Sequence, residues 1–367
     1  MKASILFILL LWAGTAAARS DSVLVRTPVE FGGLRVWILD ASDTTQHPYL
    51  TLEEALTTGQ AVIHENNSQT LWIENRSDTD LFLQSGDLIK GGQQDRMIAS
   101  DRILPAHETS RDLEVYCIER GRSTKRGTEP VETFSASHWI APLAHIRLVA
   151  RHDLTEQLLT PHVGGLTAPD TNELKLLQSL REIPQPYGTV SAAQQSVWND
   201  ITTMQSNLRA TLKDSVTKNF SPSSLELTLE NGALADREIT FERHFGALAR
   251  KDSHAVGFVY AIDGTIVGAE QYASHALFSA MWPKLLRSVG AEVFAMSTKE
   301  DRPTTMSAPT QADVQDFLNA SANGTTSRQT IDARTLVEAS RTGDATRFVT
   351  WDEKYQDISL HKEWLAK

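Results

Sequence analysis

Cysteine is almost missing from the 367-residue chain, with Cys117 its sole example. An internal disulfide is therefore impossible and a multi-cysteine zinc site is excluded, so stability has to come from packing. An excess of basic residues is lacking too: 35 Lys and Arg stand against 46 Asp and Glu, a net charge of −11. Such a chain is poorly equipped to neutralise a phosphate backbone, and no nucleic-acid partner is expected. Beyond the N-terminal residues no run is apolar enough over ~20 positions to span a bilayer. H-E-x-x-H, G-x-S-x-G, G-x-G-x-x-G in a fitting context and G-x-x-x-x-G-K-[ST] do not occur. Zinc-protease, serine-hydrolase, dinucleotide and P-loop readings thus have no support, and no cofactor is expected. What remains is an ordinary globular composition, 41% hydrophobic and 22% charged, with length for about two domains.

The N-terminus reads as an export signal. Lys2 is followed by the apolar run Ile5 to Trp12 and by small residues from Thr15 to Ala18. Ala16-Ala17-Ala18 fits an A-x-A-like cleavage site, with cleavage before Arg19. The run is too short for a spanning anchor, so residues 1–18 are expected to be removed and the protein to be periplasmic or secreted, with no membrane span left.

The rest divides into stretches by pattern. Residues 19–150 are β-rich, and an antiparallel sandwich or barrel is expected there. Gly32-Gly33 sits between Val29–Phe31 and Leu34–Leu39 as a hairpin signal, and Thr51-x-x-Glu54 reads as a capping box. Further strands are expected at Ala61–His64, Thr70–Glu74, Asp80–Leu83 and Leu113–Ile118. Residues 151–222 turn helical. There Ser191-x-x-Gln194 reads as a second capping box, opening a long helix with the stripe Val197, Ile201, Met204, Leu208, Leu212 and Val216. Residues 223–296 are mixed α/β. Asp263-Gly264 predicts a hairpin, and His275–Val289 predicts an amphipathic helix that Pro283 should kink or restart. Residues 297–330 are polar and read as a flexible connection, and 331–367 as C-terminal strands. The fold class is α+β.

One polar constellation stands out. Gly91-Gly92-Gln93-Gln94-Asp95-Arg96 follows Gly86-Asp87 in a run that cannot be plain core. Cys117-x-Glu119-x-Gly121-Arg122 is its counterpart: alternation that turns Val115 and Cys117 inward turns Glu119 inward as well. A carboxylate in that position needs an arginine or other donors beside it. Arg96 and Arg122 are the available partners, and a purely structural pair is the plain alternative to a ligand site. Cys117 itself reads as a small buried hydrophobe. His138, His145 and His152 recur at sevens, but Pro142 interrupts any common helix, so no metal site is expected. Asn66, Asn75, Asn219, Asn319 and Asn323 each open an N-x-[ST] triplet, which would matter only in a glycosylating host.

The run from Gly86 to Arg96 resembles the G-x-x-x-x-G-G-x-Q-x-R signature of the ARG (ADP-ribosylglycohydrolase) and Rhodanese-Phosphatase-superfamily-associated protein family. Cys117 to Arg122 is similar to that family's C-x-E-x-G-R. Ser196-Val197-Trp198, the Asp263-Gly264 hairpin with Gly268, and Leu277-Phe278 through Trp282-Pro283-Lys284-Leu285-Leu286 resemble its later segments. The likeness covers roughly residues 25–300. It implies no established activity, because the family's name records genomic association with NAD and ADP-ribose handling proteins and not a mechanism. Where the family often carries Trp, this chain has Ser123. An export signal also argues against work on a cytosolic nucleotide pool.

Two functions are in view. In the first, the protein is a non-catalytic binder of a polar or anionic small molecule (a sugar, a phosphate ester or an ADP-ribose-like group) or of an envelope protein. Gly91, Gly92, Gln94, Asp95, Arg96, Glu119 and Arg122 would form the site, with Arg96 and Arg122 as an anion clamp. In the second it is a hydrolase of a glycosidic or phosphoester bond, with Glu119 as general acid or base and Asp95 or Asp87 as second carboxylate. The two differ in geometry. Paired-acid hydrolysis needs two carboxylates about 5–9.5 Å apart across an open cleft, whereas a binder or a structural lock seals Glu119 against an arginine.

Overall fold

The computed structural model describes residues 23–66, 70–129, 132–151, 183–185, 188–296, 308–320, 324–343, 345–355 and 358–366. The export signal and His152 lie outside them. In chain order the N-terminal part holds β1 (Leu24–Val25), β2 (Val29–Phe31), β3 (Leu34–Asp40), β4 (Tyr49–Thr51) and α1 (Leu52–Thr57). Next come β5 (Ala61–Glu65), β6 (Thr70–Asn75), β7 (Asp80–Leu83), β8 (Asp87–Gly91) and β9 (Arg96–Ile98). β10 (Arg102–Leu104), β11 (Thr109–Cys117), β12 (Phe134–Ile140) and α2 (Ala144–Ala150) complete this half. The middle carries β13 (Ile183–Gln185), β14 (Gly188–Val190), α3 (Ala192–Leu212), α4 (Leu225–Leu229) and α5 (Gly232–Phe245). β15 (Ala255–Ile262), β16 (Thr265–Tyr272), α6 (His275–Met296), α7 (Gln311–Ala320), β17 (Thr325–Thr330), β18 (Thr335–Arg341), β19 (Ala345–Asp352) and β20 (Ser359–Ala366) follow.

The architecture is mixed α+β. One large antiparallel sheet runs β1-β3-β15-β16-β20-β19-β18-β17, with β2 also on β3. The first strands of the chain therefore share a sheet with the last ones. A second sheet runs β12-β8-β9-β11-β6-β5, and a small third one β10-β7-β4 contains a parallel pair, β4 with β7. Both expected hairpins form. Gly32 and Gly33 take positive φ between β2 and β3, and Asp263-Gly264 does the same between β15 and β16.

β15 is buried at every position, so both faces of the large sheet must be covered. Phe258, Tyr260 and Ile262 face α6 together with Phe278, Trp282 and Leu285. On the reverse face Val259 and Ala261 meet Trp37, Trp364, and Val314 and Leu318 of α7. The stretch expected as a polar connection thus contains α7 and β17. Val314 and Leu318, spaced by four, cover the back of the sheet, and Trp364 Nε1 donates to the Leu318 carbonyl at 3.1 Å.

α6 is apolar nearly all round because its other side meets the stripe of α3, where Val197, Ile201, Met204 and Leu208 pack with Ala291 and Ala295. It runs through Pro283 as one helix. The carbonyl that Pro283 leaves without a donor belongs to Ser279, and both residues are half-buried, where water can serve it. α3 stops earlier than its stripe, since Lys213 adopts φ +54° and turns Val216 out of the helix. Asn75 is fully enclosed and donates to the carbonyls of Thr79, Leu104 and Pro105, so in the folded chain this N-x-[ST] triplet is a turn anchor.

The capping box at α1 is complete. Glu54 N donates to Thr51 Oγ1 at 3.3 Å, and Thr51 N to Glu54 Oε2 at 3.0 Å. Thr51→Ala is expected to cost about 1 kcal/mol in urea denaturation; an unchanged midpoint would show that the packing of Leu52 and Ala55 alone sets this helix.

Candidate functional site

Three backbone reversals bring the polar constellation together. Gly91 and Gly92 take φ +125° and +56°, and a Cβ at Gly92 would strike the Glu65 carboxylate and the Phe134 ring. Their carbonyls therefore point across to the segment after β11. There the chain leaves the strand at Cys117, and Gly121, at φ +88°, reverses it into the loop 120–129. The third piece is the turn 221–224, which delivers Ser224 as N-cap of α4.

Asp95 and Glu119 both lie fully buried at the meeting point. Asp95 accepts a fork from Arg126, with Nη2 to Oδ1 and Nη1 to Oδ2 both at 2.9 Å, plus Ser224 Oγ at 2.9 Å and Gly91 N at 3.1 Å. Glu119 accepts Arg122 Nε at 2.5 Å, Arg126 Nη1 at 3.1 Å, Asp95 N at 3.2 Å and the Ser221 hydroxyl. Arg122 spends its other donors on the carbonyls of Gly92 (2.9 Å), Thr124 (3.0 Å) and Gly91 (3.1 Å), and on Asp95 at 3.4 Å. Arg126 also holds Glu129 through Nε at 2.9 Å. A guanidinium has five N–H donors, so both arginines are saturated.

The two carboxylates and two guanidiniums balance in charge. Burial, and next the negative charge of Glu119, push the Asp95 pKa up against Arg126. Burial also pushes at Glu119, but the Ser221 hydroxyl, Arg122 and Arg126 outweigh it and hold that carboxyl below its ordinary value. Of the two, Glu119 is the better compensated by its donors, while burial beside Glu119 works against charge on Asp95. Neither can reach a substrate.

Above this lock opens a cavity of about 780 Å³, walled by residues 120–129, 220–223 and Leu227. Arg120 lies on it with its guanidinium carbon 5.3 Å from the Trp198 ring centroid. Lys125 is exposed on the same wall, and so is Phe220, at 70%.

Of the sequence-predicted site residues, Arg122 alone reaches the cavity wall. Gly91, Gly92, Asp95 and Glu119 join it in the lock beneath. Arg96 does not: it pairs across the strands with Cys117, and its guanidinium binds Cys117 Sγ (2.6 Å), Gln94 Oε1 (2.6 Å) and Glu65 Oε1 (3.1 Å). The expected Arg96–Arg122 anion clamp therefore does not exist: one guanidinium is turned to Glu65 and the other is used up. Asp87 is also elsewhere, enclosed against Lys284 Nζ at 2.6 Å, its pKa raised by burial despite that cation. Burial likewise raises the Cys117 thiol against the pull of Arg96, as suits an inert core cysteine. Gln194 does not close its capping box. It uses its amide on both backbone groups of Cys117, each at 2.8 Å, and so ties α3 to the edge of β11.

The residues missed from sequence are Arg126, Ser221 and Ser224. The basic run Arg120, Arg122, Lys125, Arg126 was the available signal for the first, and the Ser-rich turn ahead of α4 for the others. His138 pairs with Glu53 and His145 with Asp200 in separate places. Among the described residues no group of three or more His, Cys, Asp or Glu is placed to hold a metal ion.

A family model described as ARG and Rhodanese-Phosphatase-superfamily-associated Protein domain matches residues 22–360, and the chain belongs to that family. Neither a curated protein nor a solved structure matches it.

Proposed function

We propose that this family member is an exported protein that binds a polar or anionic small molecule in the cavity over the Asp95–Glu119–Arg122–Arg126 lock, without breaking a bond in it. The carrying observation is the sealing of both carboxylates. Paired-acid hydrolysis needs an acid and a second carboxylate facing a reacting bond and a water across a cleft. Here both acids face the guanidiniums of Arg122 and Arg126, and the lock's role is to hold the loop 120–129 in shape as a preorganised wall. Arg120 and Lys125 give that wall positive charge, and the hydroxyls of Ser123, Thr124 and Thr128 supply polar contacts. Export is supported by the order of Lys2, the apolar run Ile5–Trp12 and Ala16–Ala18. Among the described residues no helix is long and apolar enough to cross a membrane.

A thermal-shift titration of the purified full chain against sugars, inorganic phosphate, sugar phosphates, NAD and ADP-ribose tests the reading. Ligand at a hundredfold excess over Kd stabilises a protein by about 2.7 kcal/mol, so a saturable rise of several degrees is expected for one class of compound. Lys125→Gln together with Arg120→Gln should weaken that binding about tenfold. Turnover of any of these compounds that disappears in Glu119→Gln would instead favour the hydrolase.

A further inference from the structure

Resting on the reading of the cavity as an anion-binding site, we propose that its ligand carries a planar aromatic ring, stacked on Phe220, as well as its anionic group. Large apolar side chains left in solvent are Leu24, Phe220 and Ile239 among the described residues. Phe220 is the aromatic one, the most exposed of the three at 70%, and the one that lines the cavity. A phenyl ring held in water at a pocket wall forgoes the burial that drives such side chains inward.

Its position is not a loose end. The next residue, Ser221, is buried and donates its hydroxyl to Glu119, and Ser223 Oγ donates to the Arg120 carbonyl at 2.7 Å. The Ser221 amide also closes a turn onto the Lys218 carbonyl at 3.0 Å. Phe220 therefore sits on backbone fixed to the same lock that fixes the cationic loop opposite. An apolar ring on fixed backbone, lining the same cavity as Arg120 and Lys125, is a composite surface: the ring takes a planar group by stacking or edge contact, and the cations take the charge attached to it. A plain sugar or inorganic phosphate would use only half of that surface.

Calorimetric titration of the full chain with phenyl phosphate, cyclohexyl phosphate and inorganic phosphate tests this. Phenyl phosphate is expected to bind about fivefold tighter than cyclohexyl phosphate and more than tenfold tighter than inorganic phosphate. Phe220→Ala should erase the phenyl preference and leave the inorganic phosphate affinity and the melting temperature unchanged, since the ring packs on little. Phe220→Trp should keep the preference. Equal binding of phenyl and cyclohexyl phosphate, or an unchanged phenyl preference in Phe220→Ala, overturns the aromatic assignment while leaving anion binding standing. Absence of binding to all three phosphates overturns the anion site and this assignment together.

Discussion

Replacing Arg126 by alanine is expected to lower stability by about 3–5 kcal/mol, the usual cost of leaving a buried charge without its partner. Arg122 and Arg126 both touch Asp95 and Glu119, but Arg126 is the one that forks onto Asp95, with two bonds at 2.9 Å. Its loss leaves Asp95 with two neutral donors and Arg122 at 3.4 Å, and takes from Glu129 its arginine partner within the loop. Arg126→Lys keeps the charge but loses the fork on Asp95, so a smaller loss is expected. Adding Asp95→Asn to Arg126→Ala should recover part of the deficit, because the buried charge left unpaired is then itself removed. Urea denaturation of the four proteins checks this. Limited proteolysis should also cut the Arg126→Ala variant within residues 120–129. A variant within 1 kcal/mol of the wild type and no faster cleavage would show that the lock does not hold the loop, and the case for a preorganised wall would fall with it.

That Glu119 would turn inward beside an arginine, Arg96 or Arg122, was legible in the sequence, and so was its grouping with Asp95. β11 ends at Cys117, and Cys117, Ile118 and Glu119 are all buried, so strand alternation is not what turns Glu119 in. Asp95, 24 residues away, is brought beside it by the pairing of β9 with β11. The arginine three residues on, in contrast, is a matter of local spacing. The Gly32-Gly33 and Asp263-Gly264 hairpins and the Thr51 cap were legible for the same reason. What could not be read was which partner each long side chain would choose. Arg96 sits on β9 beside the end of β11, but its guanidinium goes to Glu65 of β5, three strands along in the order β9-β11-β6-β5. Glu65 is within reach only because β5 closes back on residues 132–133, with Glu65 N bonded to the Glu132 carbonyl and His64 bridged to Thr133. Ser221 and Ser224 meet the acids from about a hundred residues away. α7 was hidden because two apolar residues, Val314 and Leu318, suffice when the sheet beneath supplies the rest of the core. Pro283 broke its rule since Ser279 and Pro283 are only half-buried, and water can serve the carbonyl left without an amide.

The second large effect is expected at His361, far from the cavity. This histidine is enclosed between Asp101 Oδ2 at 2.7 Å and Glu270 Oε2 at 3.3 Å, with the Tyr272 ring stacked 4.8 Å away. Asp101 also accepts Thr350 Oγ1 at 2.5 Å and Ser85 N at 2.7 Å, and Glu270 accepts Tyr272 OH and Gln84 Nε2. Nearby, Glu363 is held by Arg147 Nε at 2.7 Å and by Arg151. Three acids face three cations only if His361 is protonated. Burial alone would lower its pKa, but Asp101 and Glu270 reverse that and raise it from 6.5 to about 9. A folded pKa above the unfolded one means a contribution complete below about pH 6.5 and lost as pH rises through about 9. The span corresponds to about 3 kcal/mol. On the acid side the depressed carboxyls of Asp101 and Glu270 add stability that is present above about pH 4–5 and lost as pH falls toward their folded values. These three groups together contribute most near pH 5–6.5 and less toward pH 9. Buried Glu226 and Glu238, raised by burial to about 8 and about 7, add a decline of their own that a His361 variant keeps. His361→Gln should cost about 3 kcal/mol at pH 6 and make the decline shallower. Denaturation curves from pH 5.5 to 9.5 measure both. Parallel declines in variant and wild type would mean that His361 is neutral in the fold, and that the charge balance linking β20 and β16 to the smaller sheet is held by the arginines alone.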